Sequence, residues 1–197
     1  RSAEAVHLVH KGISAEELYQ RNGLQHLDFN TLFQLTDEHR NGLLDIAERM
    51  LMIPDLFNYW LTGESIAEAT NASTTGLLDA RSGEWDTELM KILNLPADLF
   101  PKIVEPGYRV GSLLPDVAAE LGASSSTPVH SVGSHDTASA VVAVPSLDSG
   151  AAFISSGTWS LVGIELDAPV LSRESQEANF TNERGVDGKT RFLKNVS

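Results

Sequence analysis

The stretch Val132-Gly133-Ser134-His135-Asp136-Thr137-Ala138-Ser139-Ala140 decides how the rest of the chain is read. Val129 and Val132 open an extended segment, and small residues then run as a helix over 138–144 until Pro145 stops it. His135 and Asp136 therefore stand where an extended segment meets a helix start. An aspartate in that position can take the proton of a substrate hydroxyl within hydrogen-bond reach. The free N–H groups and partial positive charge of the helix start favour an anion beside it. The same residues also read as a plain helix cap, because Ser134 and Asp136 are among the preferred capping types.

Downstream, Ser155-Ser156-Gly157-Thr158-Trp159-Ser160 separates two expected strands, 151–154 and 161–166. Glycine at the bend lets backbone approach a phosphate and the hydroxyls can donate to its oxygens, although an ordinary hairpin needs the same glycine. Upstream, the chain reads as helical. A short amphipathic turn at 16–19 ends near Gly23. Helical spacing of Leu43, Leu44, Ile46, Ala47, Met50 and Leu51 predicts a helix from Thr36 or Asp37 onward. Pro54 suits the first turn of a helix over 55–61 that stops at Gly63, and Phe57, Tyr59 and Trp60 predict its burial. The hydroxyl-rich run 70–75 suits caps and turns. Trp85-Asp86 opens a helix with Leu89, Ile92 and Leu93 on one face, and Pro115–Leu121 forms another that ends at Gly122. Helices first, then strands with one packed helix, predict an α/β protein, divided at 146–150.

Composition narrows the function. Among 197 residues, 27 acidic side chains against 14 basic ones give a net charge of −13, which disfavours a nucleic-acid surface. With no cysteine, disulfides, thiolate zinc sites and cysteine nucleophiles are excluded. No apolar run is long enough to span a membrane, and residues 1–11 lack a signal-peptide core, so a soluble cytoplasmic protein is expected. Gly188-Lys189-Thr190 fails as a P-loop because Glu183 stands where the first glycine is required. His7 and His10 lack a third ligand and read as a solvated pair; no metal site is expected from the residues.

Taken together, Gly133-Ser134-His135-Asp136-Thr137-Ala138-Ser139-Ala140, Phe153-Ile154-Ser155-Ser156-Gly157-Thr158-Trp159-Ser160, Asn179-Phe180-Thr181-Asn182-Glu183 and Arg191-Phe192-Leu193-Lys194-Asn195 resemble the FGGY carbohydrate kinases, most of all their rhamnulokinase branch. Asn30-Thr31-Leu32-Phe33-Gln34-Leu35, Ile53-Pro54-Asp55-Leu56 and Glu68-Ala69-Thr70-Asn71-Ala72-Ser73-Thr74-Thr75 extend the resemblance into the first half. It implies an actin-like, ribonuclease-H-like α/β fold with the active site in a cleft between two domains. Residues 1–147 would be the later part of the sugar-binding domain, and 148–197 the start of the nucleotide-binding domain. The implied activity is ATP-dependent phosphorylation of a ketose primary hydroxyl, L-rhamnulose to L-rhamnulose 1-phosphate. Asp136 would be the general base, His135, Asp136, Thr137 and Asn195 would bind the sugar, and Gly157 and Thr158 would hold the phosphates of Mg-ATP. The alternatives are another ketose or polyol of the same family, or a non-catalytic sugar-binding module on the same scaffold.

The family pattern also predicts what lies outside the match. An opening strand with an Asp-x-Gly phosphate loop, an early sugar-recognition loop and the adenosine pocket have no counterpart in these residues. The chain is therefore expected to be the middle of a kinase, with little activity alone, and with sheet edges that invite association.

Overall fold

Ser14 starts the second helix of the chain: its backbone is extended and its hydroxyl accepts from the Glu17 N–H at 3.1 Å. The computed structural model describes residues 3–145 and 150–196. Helices α1 (Ala3–Gly12), α2 (Ala15–Asn22) and α3 (Thr31–Arg40) come first, with α2 closed by Gly23 in the left-handed region at φ 68°. Val9, Leu18, Leu32 and Phe33 from these helices meet Leu77, Leu89 and Met90 in the largest core cluster. Then follow α4 (Ile53–Thr62), β1 (Ala67–Glu68), α5 (Ala69–Ala72), α6 (Thr87–Ile92), β2 (Ile103–Val104), β3 (Arg109–Ser112), α7 (Pro115–Leu121) and β4 (Pro128–His130). Strand β1 pairs parallel with β2, and β3 antiparallel with β4.

Helix α8 (Asp136–Val142) leads to a four-stranded antiparallel sheet of β5 (Ala152–Ser156), β6 (Ser160–Leu166), β7 (Phe180–Arg184) and β8 (Thr190–Val196), in the order β5-β6-β8-β7. A one-turn helix, α9 (Arg173–Glu177), crosses between β6 and β7. Val141 of α8 packs with Phe153 and Leu193, which ties the helix to the sheet. Gly163 is required in β6, where an added Cβ would lie 2.6 Å from the Leu193 Cβ and 2.8 Å from the Phe192 carbonyl oxygen. The sheet is held to the helical part by α2 and the loop after it. The Tyr19 hydroxyl lies 2.6 Å from the Ser175 Oγ and donates to the Phe180 carbonyl, while Asn182 Nδ2 donates to the Gly23 carbonyl at 3.0 Å.

Several expectations are corrected. The helix expected from Thr36 begins at Thr31 and ends at Arg40, because Gly42 takes φ 75° and breaks it. Leu43–Ile46 is then a single 3-10 turn, of which only Leu44 is buried. Helix α4 is not buried by its aromatic residues: Phe57 and Trp60 are 55% exposed, and Asp55 and Thr62 face the body instead. Run 70–75 does enter helical geometry, as α5 and a 3-10 turn, with the Ser73, Thr74 and Thr75 hydroxyls bonded back to carbonyls three residues earlier. In α6 the buried face is Leu89 and Met90, and Ile92 points outward. His10 is half-buried, its ring packed near those of His26 and Phe33, and so is not part of a solvated pair. The last third holds four strands in place of the two expected. Gly188-Lys189-Thr190 lies at the β7–β8 turn, with Gly188 at φ 71°. The division expected at 146–150 falls on 146–149, outside the described residues.

Candidate active site

Glu68, at the end of β1, is fully buried and receives an unusual set of donors. Its carboxylate accepts from the Thr70 and Asn71 N–H groups and the Thr70 hydroxyl, which start α5. It also accepts from the Ser134 N–H at 3.0 Å and the Ser134 hydroxyl at 2.7 Å, across 66 residues of sequence. The Thr70 hydroxyl in turn accepts from the His135 N–H at 3.2 Å. The segment leading into α8 is thus pinned by one carboxylate and one hydroxyl. A buried carboxylate is tolerable because five hydrogen bonds meet it.

Pinned in this way, His135 caps α8 from an extended backbone and Asp136 is the first helical residue. The Asp136 side chain is 96% exposed. Its Oδ1 accepts from the Thr137 N–H at 2.7 Å and faces the Thr137 hydroxyl at 3.4 Å, while Oδ2 has no hydrogen-bond partner among the described residues. His135 sits between this helix and the sheet. Arg191 Nη2 lies 2.8 Å from His135 Nδ1, and Glu183 Oε2 lies 3.4 Å from the same nitrogen. Burial pushes the His135 imidazole below its ordinary value; Glu183 pulls it up, Arg191 pushes it further down, and Asp136 and Glu68 add smaller upward effects.

All six residues singled out in the sequence line one cleft of about 580 Å³, within the range of small-molecule sites. His135, Asp136 and Thr137 form one wall, Gly157 and Thr158 the turn between β5 and β6, and Asn195 of β8 the floor. Asn195 Oδ1 is buried without a hydrogen-bond partner, leaving an acceptor available to a hydroxyl. A Cβ at Gly157 would meet only the Trp159 carbonyl oxygen, at 3.9 Å, so the turn stays open toward the cleft. These groups fit a phosphate chain and a polyhydroxylated ligand. Among the described residues no group of three or more His, Asp or Glu could hold a metal ion, and none is assigned to one.

Other residues of the site were not singled out. Phe29 and Trp159 meet edge to face at 6.3 Å between centroids at the cleft, each more than 40% exposed. Glu183 and Arg191 reach His135 from the sheet. One signal in the sequence pointed to Arg191: with Leu193 it occupies the inward positions of an alternating strand, where a charged residue is out of place.

The chain is 45% identical over 186 residues to the rhamnulokinase of Bacteroides thetaiotaomicron, covering 93% of this chain and 38% of that protein. Among solved structures, xylulose kinase from Rhodospirillum rubrum matches with a TM-score of 0.86 at 16% identity, over 100% of this chain and 40% of that one. Plasmodium falciparum glycerol kinase with ADP matches with a TM-score of 0.78 at 17% identity, over 100% of this chain and 41% of that one. Those two likenesses establish the fold, an incomplete copy of the sugar-kinase architecture. Residues 1–143 match the N-terminal domain of the FGGY family of carbohydrate kinases, and with that match the chain belongs to the FGGY family.

Proposed function

We propose that the chain serves the ATP-dependent phosphorylation of a ketose primary hydroxyl, with L-rhamnulose as the sugar and L-rhamnulose 1-phosphate as the product. The observation that carries this reading is Asp136: one carboxylate oxygen is tied to Thr137 and the other stands free in the cleft, at the start of α8. In this reading Oδ2 takes the proton of the sugar hydroxyl as it attacks the γ-phosphate in line. Thr137 fixes the carboxylate, Asn195 accepts from a second sugar hydroxyl, and His135 lines the same wall. Gly157 and Thr158 hold the phosphates, and Mg²⁺ supplies charge neutralisation when bound with the nucleotide. The choice of sugar rests on the similarity to rhamnulokinases. The domain division at 146–150 belongs to the same proposal, as does a cytoplasmic location; no helix among the described residues is long and apolar enough to cross a membrane.

The chain spans 38% of the length of the rhamnulokinase it resembles, so the assay belongs to a full-length kinase carrying this segment. Coupled ADP release with L-rhamnulose is expected, and Asp136→Ala is expected to lower kcat by about 10²- to 10⁴-fold. Turnover with a different ketose would keep the reaction and replace the sugar. No turnover with any sugar, in a folded protein, would overturn the kinase reading and leave a sugar-binding module. The 197-residue chain alone is expected to release no ADP.

A further inference from the structure

Arg191 is the one arginine buried among the described residues, and it has no exposed surface at all. Its Nε donates to the Arg184 carbonyl at 3.2 Å, and its Nη2 lies 3.1 Å from Glu183 Oε2 and 2.8 Å from His135 Nδ1. A guanidinium only donates, so the ring nitrogen facing it must accept. His135 then carries its single proton on Nε2 and is neutral. That nitrogen faces Asp136 Oδ1 at 3.7 Å, on the same carboxylate oxygen that Thr137 already engages. Oδ2 is the oxygen left over.

The charged groups around the ring compete over this state. Glu183 on β7, Glu68 at the end of β1 and Asp136 on α8 itself all favour a protonated imidazole, whereas burial and Arg191 on β8 oppose it. Without Arg191, Glu183 would be the nearest partner of Nδ1 and would draw a proton onto it. With Arg191 in place, a proton on Nδ1 would set two donors against each other at 2.8 Å.

We propose that Arg191 is a positioning residue that holds His135 as the neutral Nε2–H imidazole, so that an N–H and not a lone pair faces the Thr137-bound Asp136 Oδ1 across 3.7 Å and Oδ2 is left as the proton acceptor. This rests on the proposed kinase reading for its purpose, but its first test needs no turnover. Long-range ¹H–¹⁵N spectra of the 197-residue chain, with the ring of His135 assigned among the six histidines by His135→Asn, read the tautomer directly. A neutral Nε2–H ring at pH 7 is expected. In Arg191→Met the ring should change to Nδ1–H or to imidazolium, with its titration midpoint moved upward. Because Arg191→Met strands the half-buried Glu183, Glu183→Gln/Arg191→Met provides an uncharged second variant, in which the amide carbonyl introduced on β7 can still draw the proton to Nδ1. An Nδ1–H or imidazolium ring in the unmodified chain would overturn the proposal, as would an unchanged Nε2–H ring in the folded double variant.

In a full-length kinase carrying this segment, Arg191→Met is expected to lower kcat by about 10- to 100-fold, with KM moved less. The acid limb of the pH profile should shift upward with His135, and a purely structural residue would leave that limb in place. An active kinase with a normal pH limb in Arg191→Met sinks the role of Arg191 and spares the kinase reading. A correct tautomer in a protein that turns over no sugar does the reverse.

Discussion

Glu68 shows how a single side chain can organise a site it does not line. Five donors converge on its carboxylate, three from the start of α5 and two from Ser134. Four of the five donors meet Oε2, so glutamine with its oxygen there keeps them and turns its amide N–H groups against the Thr70 N–H that Oε1 accepted. Leaving a buried donor unpaired costs about 1–3 kcal/mol, so Glu68→Gln is expected to lose about that much unfolding free energy in a urea titration. Ser134 and His135 hang from this network, so sugar affinity in the same variant should fall as well. Stability unchanged within about 0.5 kcal/mol would show that the donors find other partners.

The junction of α4 and β1 carries a different consequence, one of pH. Asp55, in the first turn of α4, is fully buried and accepts the Glu68 N–H through both oxygens, at 3.3 and 3.4 Å. Burial, and then the neighbouring Glu68 charge, push its carboxyl up to about 7, against the pull of the Glu68 N–H. The folded state therefore holds this proton more tightly than the unfolded chain does. The stability it brings is complete below the ordinary carboxylate range and is lost as the pH rises through about 7. The urea midpoint should fall between about pH 4 and pH 7 and level off above, and Asp55→Asn should flatten that fall; parallel profiles for the two proteins would sink the assignment. What the sequence disclosed follows the same divide between local and distant partners. Gly23, Gly63 and Gly122 end helices through their own backbone, and the residues around Asp136 and Gly157 form contiguous motifs, so these were legible. The aromatic residues of α4 announced an apolar helix, but periodicity does not say which side a neighbour covers. Strand β7 was hidden by its polar Thr181, Asn182, Glu183 and Arg184, and β8 because Arg191 breaks the apolar alternation while its partner His135 is 56 residues away. Glu68 was equally hidden, since what makes it central is a segment 66 residues later.

At the scale of the whole molecule, the cleft exists only because the sheet is docked against the helical part. One wall comes from α8 and the loop after α2, the other from the β5–β6 turn, with Asn195 of β8 as the floor, and polar contacts dock the two parts. Asn182 is foremost among them: Nδ2 donates to the Gly23 and Val170 carbonyls and Oδ1 accepts from the Val170 N–H. Gly23 is matched to it, since a Cβ there would lie 2.9 Å from Asn182 Nδ2, at a φ of 68° that side chains disfavour. Asn182→Ala removes these bonds and leaves the half-buried Val170 carbonyl and N–H short of partners, while the Gly23 carbonyl keeps the Asn182 backbone N–H at 2.9 Å, a loss expected to be about 1–3 kcal/mol. Its second effect separates docking from mere stability. A ligand that touches both walls stabilises the folded protein according to its affinity for the docked arrangement, so L-rhamnulose should raise Tm less in Asn182→Ala than in the unmodified chain at equal concentration. An equal Tm shift in both would mean that the sugar is held by one wall alone, and that the sheet contributes to the fold without contributing to that binding.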